Sequence, residues 1–186
     1  MAQRVMILAT NGFEQSELEG PKKRLEDAGY ETVVVSPEEG QIKGWDEKDW
    51  GSPVDVDLTL AEAEATEFDA LVLPGGQINP DIMRMEEKAV QLVQDFNTAG
   101  KPIAAICHAP WMLVEADIVK GRTVTSWPSV RTDLANAGGN VVDEEAAVDG
   151  NLITSRNPDD IPAFTNALIA QLKAKMADGE KALESA

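Results

Sequence analysis

With 186 residues, 43% of them hydrophobic and 26% charged, the chain is sized for one globular domain around a single sizeable core. Thirty-three acidic against sixteen basic side chains leave a formal charge of −17, which repels phosphate backbones and anionic lipids and argues against nucleic acid or membrane partners. Apolar runs fall short of the roughly 20 residues that a spanning helix needs, and the opening MAQRVMILATNGFEQ lacks a small-residue cleavage signal. A cytoplasmic location is expected. One cysteine and one histidine exclude an intrachain disulfide and a cysteine-rich zinc site, and these two singletons, Cys107 and His108, are neighbours.

In chain order, short β-rich runs alternate with helical periods, the pattern of an α/β domain with a mostly parallel sheet. Arg4 to Ala9, Thr32 to Val35, Ala70 to Leu73 and Pro102 to Ile106 are near-continuous apolar runs, as strands covered on both faces require. Leu18, Pro21, Leu25 and Ala28 outline an amphipathic helix ending near Gly29, which Pro21 is expected to kink or delay. Gly40 to Pro53, with Trp45 and Trp50, breaks the rhythm and reads as a hairpin or loop off the main sheet. It is either a surface decoration or a subunit contact. Ala89, Leu92, Val93 and Phe96 mark a second helix, and Ile161, Phe164, Leu168, Ile169 and Leu172 a third. Arg122 to Thr125, Asn140 to Val142 and Val148 to Ser155 are later strand candidates, the last with a tight turn at Asp149-Gly150-Asn151. One domain covers residues 1–186, and 173–186 are expected to fray.

Cys107 follows directly on a strand and precedes Pro110 and a helical stretch, so it stands at a strand-to-helix turn. In an open parallel sheet such a turn borders the ligand crevice. A helix start beside the sulfur favours thiolate over thiol, whereas the plain alternative is a small buried hydrophobe. Adjacent residues on a regular helix do not face each other, so pairing of Cys107 with His108 requires an elbow. Glu14 follows the first strand at the same edge, where a carboxyl can exchange a proton or hydrogen bond with sulfur; otherwise it is a solvated helix-start acid. The backbone N–H groups of Gly76, in Leu73-Pro74-Gly75-Gly76, and of His108 can supply an oxyanion hole.

These residues resemble the PfpI branch of the ThiJ/PfpI superfamily. The carriers are Asn11 to Glu14, Phe68 to Gly76, Ile106 to Pro110, Thr125 to Pro128, and Val148 to Asn151 with Thr154 to Arg156. The resemblance runs from Arg4 to Leu172. It implies a flavodoxin-like three-layer sandwich with a mostly parallel central sheet, related to class I glutamine amidotransferase domains. It further implies Cys107 as nucleophile, Glu14 as the carboxyl that tunes it, and His108 as general base or acid. Asp81, where the family pattern has Glu, is implied to reach the histidine of a neighbouring subunit, which makes a homodimer or larger homo-oligomer the expected assembly. Ala109 stands where many relatives have Gly.

The function expected from these features is a cofactor-free, metal-free cysteine enzyme acting on small electrophilic carbonyls, of glyoxalase or deglycase type. The alternatives are an intracellular cysteine peptidase acting on peptides, a Cys107 oxidation sensor, and a holdase using the Trp45 and Trp50 loop. Glutaminase chemistry needs a distal histidine that this chain lacks.

Overall fold

The computed structural model describes residues 2–184. The elements are β1 Arg4–Leu8, α1 Gln15–Asp27, β2 Glu31–Ser36, β3 Gln41–Asp46, β4 Asp49–Asp55, β5 Leu58–Thr59, β6 Ala70–Leu73, α2 Ile78–Met83 and α3 Glu87–Thr98. They continue with β7 Ile103–Ile106, α4 Pro110–Glu115, β8 Thr123–Val124, α5 Arg131–Asn136, β9 Asn140–Val141, β10 Ala147–Asp149, β11 Leu152–Ser155 and α6 Ile161–Glu184.

The main sheet has seven strands in the order β10-β11-β7-β6-β1-β2-β5. Every pairing is parallel except β10 with β11, which are joined by a tight turn at Gly150 and Asn151. Alternation along the strands divides the core into two layers. Met6, Leu8, Leu71, Leu73, Ile103 and Ala105 pack toward α3, α4 and α5. Val5, Ile7, Ala70, Val72, Ala104 and Ile106 pack toward α1 and α6, against Leu18, Leu25, Phe164, Leu168 and Leu172. Helices on both faces make the three-layer α/β sandwich with the flavodoxin-like arrangement.

The chain runs outward from β1 through β2, then returns to the other side of β1 with β6, β7 and β11. The strand order therefore reverses between β1 and β6, which is where ligand crevices open at the carboxyl edge of such sheets. Three chain segments meet there: the loop after β1, the Pro74-Gly75-Gly76 turn after β6, and the Cys107 elbow after β7.

Several local expectations change. Helix α1 starts before Pro21 and encloses it, so the proline does not delay the helix. The segments around Thr123 and Asn140 pair with each other in a separate two-stranded parallel sheet. Helix α6 spans Ile161–Glu184. Residues 185 and 186 lie outside the described residues. Strands β3 and β4 form the hairpin expected between Gly40 and Pro53 and fold back over the start of α1. A bridge links Glu14 to Trp45, and Gly44 and Gly51 leave room for the Gln15 side chain. Trp45 and Trp50 meet edge to face at 5.6 Å, with Trp50 46% exposed. Among the described residues no helix is long and apolar enough to cross a membrane.

Candidate active site

Cys107 adopts a left-handed backbone, φ 65°, which a side chain other than glycine rarely occupies without support. The support is explicit. The Cys107 N–H donates to the Ser155 carbonyl at 3.0 Å, and its own carbonyl accepts from the Trp127 N–H at 2.9 Å. Ala109 N–H donates to the Ile106 carbonyl at 3.0 Å and closes the turn into α4. The elbow aims the sulfur into a cavity of about 620 Å³ lined by Gly12, Glu14, Glu17, Trp45, Gly76 and Trp127, among others. Only 6% of Cys107 is exposed.

The carboxyl that meets this sulfur is Glu17, one helical turn beyond Glu14. Glu17 is fully buried, accepts the Gly75 N–H at 2.9 Å through Oε2, and shares a hydrogen bond with the Cys107 thiol. Its Oε1 has no nitrogen or oxygen partner. Burial, with the nearby Glu14 charge, pushes the Glu17 carboxyl up to about 8, so it carries its proton at neutral pH. Gly75 is required at this contact: a Cβ there would fall 2.5 Å from Glu17 Oε2 and 2.7 Å from both the Cys107 Cβ and the Ile106 carbonyl.

Glu14, expected beside the sulfur, instead sits at the cavity mouth, where it accepts a hydrogen bond from the Ser16 hydroxyl at 3.2 Å. Partial burial raises its pKa, and the charges of Asp46 and Glu47 on the overlying hairpin add to the rise. The separation follows from helix geometry. Glu17 lies on the α1 face that carries Pro21 and Leu25 into the core, whereas Glu14 precedes the helix.

The expected preference for thiolate is also revised. Burial pushes the Cys107 thiol up, and the Glu17 carboxyl adds to that. The N–H groups of Gly76 and His108 hydrogen-bond the sulfur and act in the opposite direction. Helix α4 spans only Pro110–Glu115, too short for its dipole to outweigh desolvation. The donors expected as an oxyanion hole thus already point at the sulfur.

His108 Nδ1 lies 3.2 Å from Cys107 Sγ, a contact made possible by the elbow. Its ring stacks on Trp127, with centroids 5.9 Å apart, and meets the edge of Trp111 at 5.3 Å. Burial lowers its pKa, which keeps the imidazole neutral near pH 7. Nε2 lies 3.3 Å from the Ser129 hydroxyl, a neighbour that the sequence reading did not single out. Asp81 is absent from this cavity. In its own chain it borders a separate groove with Arg84, Met85 and Glu115. Asn79, 2% exposed, ties the loop after β1 to the turn after β6: it accepts the Thr10 N–H at 2.8 Å and donates to the carbonyls of Pro74 at 2.9 Å and Gly75 at 3.3 Å. Among the described residues no group of three or more His, Cys, Asp or Glu is placed to hold a metal ion.

A parallel sheet with a cysteine at a strand-to-helix elbow, flanked by a buried carboxyl and an imidazole, defines a class of cysteine-bearing α/β sandwich. The chain belongs to the DJ-1/PfpI family, whose pattern it matches over residues 3–171. It is 43% identical over 170 residues to the deglycase PfpI of Pyrococcus furiosus, covering 91% of this chain and 99% of the relative. It is 37% identical over 174 residues to the putative cysteine protease YraA of Bacillus subtilis, covering 93% and 100%. Among solved structures it resembles the DJ-1beta of Drosophila melanogaster, with a TM-score of 0.83, 29% identity and 98% of each chain covered.

Proposed function

We propose that this protein is a cysteine-dependent enzyme acting on small reactive carbonyls, in the manner that the name of the P. furiosus deglycase describes. The observation that carries the reading is the Cys107 thiol, 6% exposed at the base of a cavity and touched by a protonated carboxyl and a neutral imidazole. A sulfur so enclosed suits an aldehyde of a few atoms better than an extended peptide, which ranks the peptidase reading second.

The chemistry balances without an external oxidant. His108 Nδ1 takes the thiol proton, and the sulfur adds to the aldehyde carbon of a 2-oxoaldehyde, forming a C–S bond. The carbonyl oxygen receives the displaced electron pair together with a proton from Glu17, beside the N–H groups of Gly76 and His108. The Glu17 carboxylate takes the proton from that carbon and returns it to the adjacent carbonyl carbon, while the hydroxyl proton passes to the neighbouring oxygen, which gives a 2-hydroxy thioester. Water then cleaves the C–S bond: its hydroxyl joins the acyl carbon, its other proton returns to Glu17, and the leaving sulfur takes the proton held by His108, releasing a hydroxy acid and restoring the thiol. A subunit partner supplying Asp81 belongs to the same reading and is tested by site variants in the assembled protein.

The test is incubation of the protein and its Cys107→Ser variant with methylglyoxal in amine-free buffer, with lactate quantified directly. Lactate formed catalytically by the wild type and absent with the variant supports the proposal. Equal, background-level lactate from both overturns it.

A further inference from the structure

We propose that Ser129 is the positioning residue of His108: its hydroxyl oxygen accepts the Nε2 proton and so leaves Nδ1 unprotonated toward the thiol. The inference rests on the reading of Cys107 and His108 as the reacting pair, and it goes beyond it by fixing which ring nitrogen is the base and which group in the same chain decides that.

A neutral imidazole holds one proton, and the partner of one nitrogen dictates the state of the other. Nδ1 faces a sulfur that burial keeps protonated, at 3.2 Å, and because the protonated Glu17 is the donor in its own contact with that sulfur, the S–H is left with Nδ1 as its acceptor. The ring proton then belongs on Nε2, where the Ser129 Oγ lies at 3.3 Å. When the thiol proton passes to Nδ1, the same Nε2–H bond to Ser129 persists and strengthens, because its donor is now charged. Ser129 therefore needs no rearrangement during the step.

The turn that carries the hydroxyl is anchored to the site, and the imidazole that it meets is held by two indoles. Ser129 lies in a single 3₁₀ turn, Pro128–Val130, whose Val130 N–H donates to the Trp127 carbonyl at 2.9 Å and whose Val130 side chain is fully buried. Trp127 is in turn tied to the Cys107 carbonyl and stacks on the imidazole. On the other side, Trp111 is pinned by its indole N–H to Asp133 at 2.8 Å. The two indoles fix the ring plane, and Ser129 fixes the tautomer.

Because His108 is the only histidine, its two ring nitrogens give an unambiguous ¹⁵N signature. The experiment records long-range ¹H–¹⁵N spectra of histidine-labelled full-length wild type, Ser129→Ala, Ser129→Thr and Asp81→Asn at neutral pH, alongside kcat and KM for methylglyoxal. The wild type is expected to show a protonated, pyrrole-like Nε2 and a pyridine-like Nδ1. Ser129→Ala should mix the tautomers and lower kcat about ten-fold with little change in KM, the scale of one orienting hydrogen bond. Ser129→Thr, which keeps the hydroxyl, should restore both. A Ser129→Ala spectrum identical to the wild type, or a tautomer that shifts only in Asp81→Asn, overturns the proposal. A tautomer that depends on Ser129 in a protein forming no Cys107-dependent lactate would support the positioning role while refuting the proposed substrate.

Discussion

The Glu17 carboxyl and the Cys107 thiol form one buried acid pair, brought together from α1 and from the elbow after β7 and both packed against the bare backbone of Gly75. The Glu17 carboxyl raises the pKa of the thiol, whereas the hydrogen bond with the thiol lowers that of Glu17, so Glu17 ionises first and its charge opposes ionisation of the sulfur.

That relationship sets a pH dependence of stability. The folded Glu17 pKa of about 8 stands above its unfolded value near 4.5, so the folded state holds the extra proton between those limits. The resulting stability is fully present below pH 4.5 and is lost as pH rises through 8. Between pH 7 and 9 the loss is about 1.4 kcal/mol. The thiol adds in the same direction above about pH 8.5, the ordinary cysteine range. Urea denaturation at pH 7 and 9 should show this decline in the wild type and a smaller one in Glu17→Gln. Equal declines would place the Glu17 proton elsewhere.

The elbow makes a separate prediction. At φ 65° every side chain with a Cβ is strained, and glycine is not. Cys107→Gly should therefore be more stable than Cys107→Ala by about 1 kcal/mol, although glycine usually destabilises. Chemical denaturation of the two variants measures it, and an alanine variant equal or superior in stability would show that the turn is unstrained.

Asn79→Ala should cost about 2 to 3 kcal/mol, because it strands the Thr10 N–H and the Pro74 carbonyl in a buried position. Asn79→Asp should be no better, since an oxygen then faces the carbonyls that the amide nitrogen served. Thermal melts of the two variants provide the comparison.

The cavity lining carries Glu14 and Glu47 beside the protonated Glu17, with a neutral His108 and no lysine or arginine. Anionic aldehydes should accordingly react with a kcat/KM about ten-fold below neutral ones of the same size, the scale of one unfavourable charge contact near a surface. Added salt should narrow the gap. Comparing 4,5-dioxopentanoate, an anionic 2-oxoaldehyde, with its neutral methyl ester, in the wild type and in Glu47→Gln, decides the point.

The sheet was legible because its strands are apolar on both faces, and α3 because Ala89, Leu92, Val93 and Phe96 repeat at helical spacing. The cysteine elbow was legible because strand, cysteine and Pro110 follow one another directly. Glu17 left a signal that went unread: its spacing to Pro21 and Leu25 puts an acid on the buried face of α1. Ser129 left none. Its approach to His108 depends on a 3₁₀ turn and on packing across the site. The same holds for the hairpin that closes over Glu14 through the bridge to Trp45, a contact no local pattern encodes.

Strand β7 is held on one side by β6 and on the other by β11, whose Ser155 carbonyl takes the Cys107 N–H. During synthesis Glu17, Gly75 and Cys107 all emerge before Leu152–Ser155, the strand that completes the elbow. A nascent chain that has not reached β11 therefore presents an open apolar edge next to an unsheltered sulfur. Strand β11 closes the edge and seats the thiol in one event, so the sulfur comes under control only once Ser155 has been made.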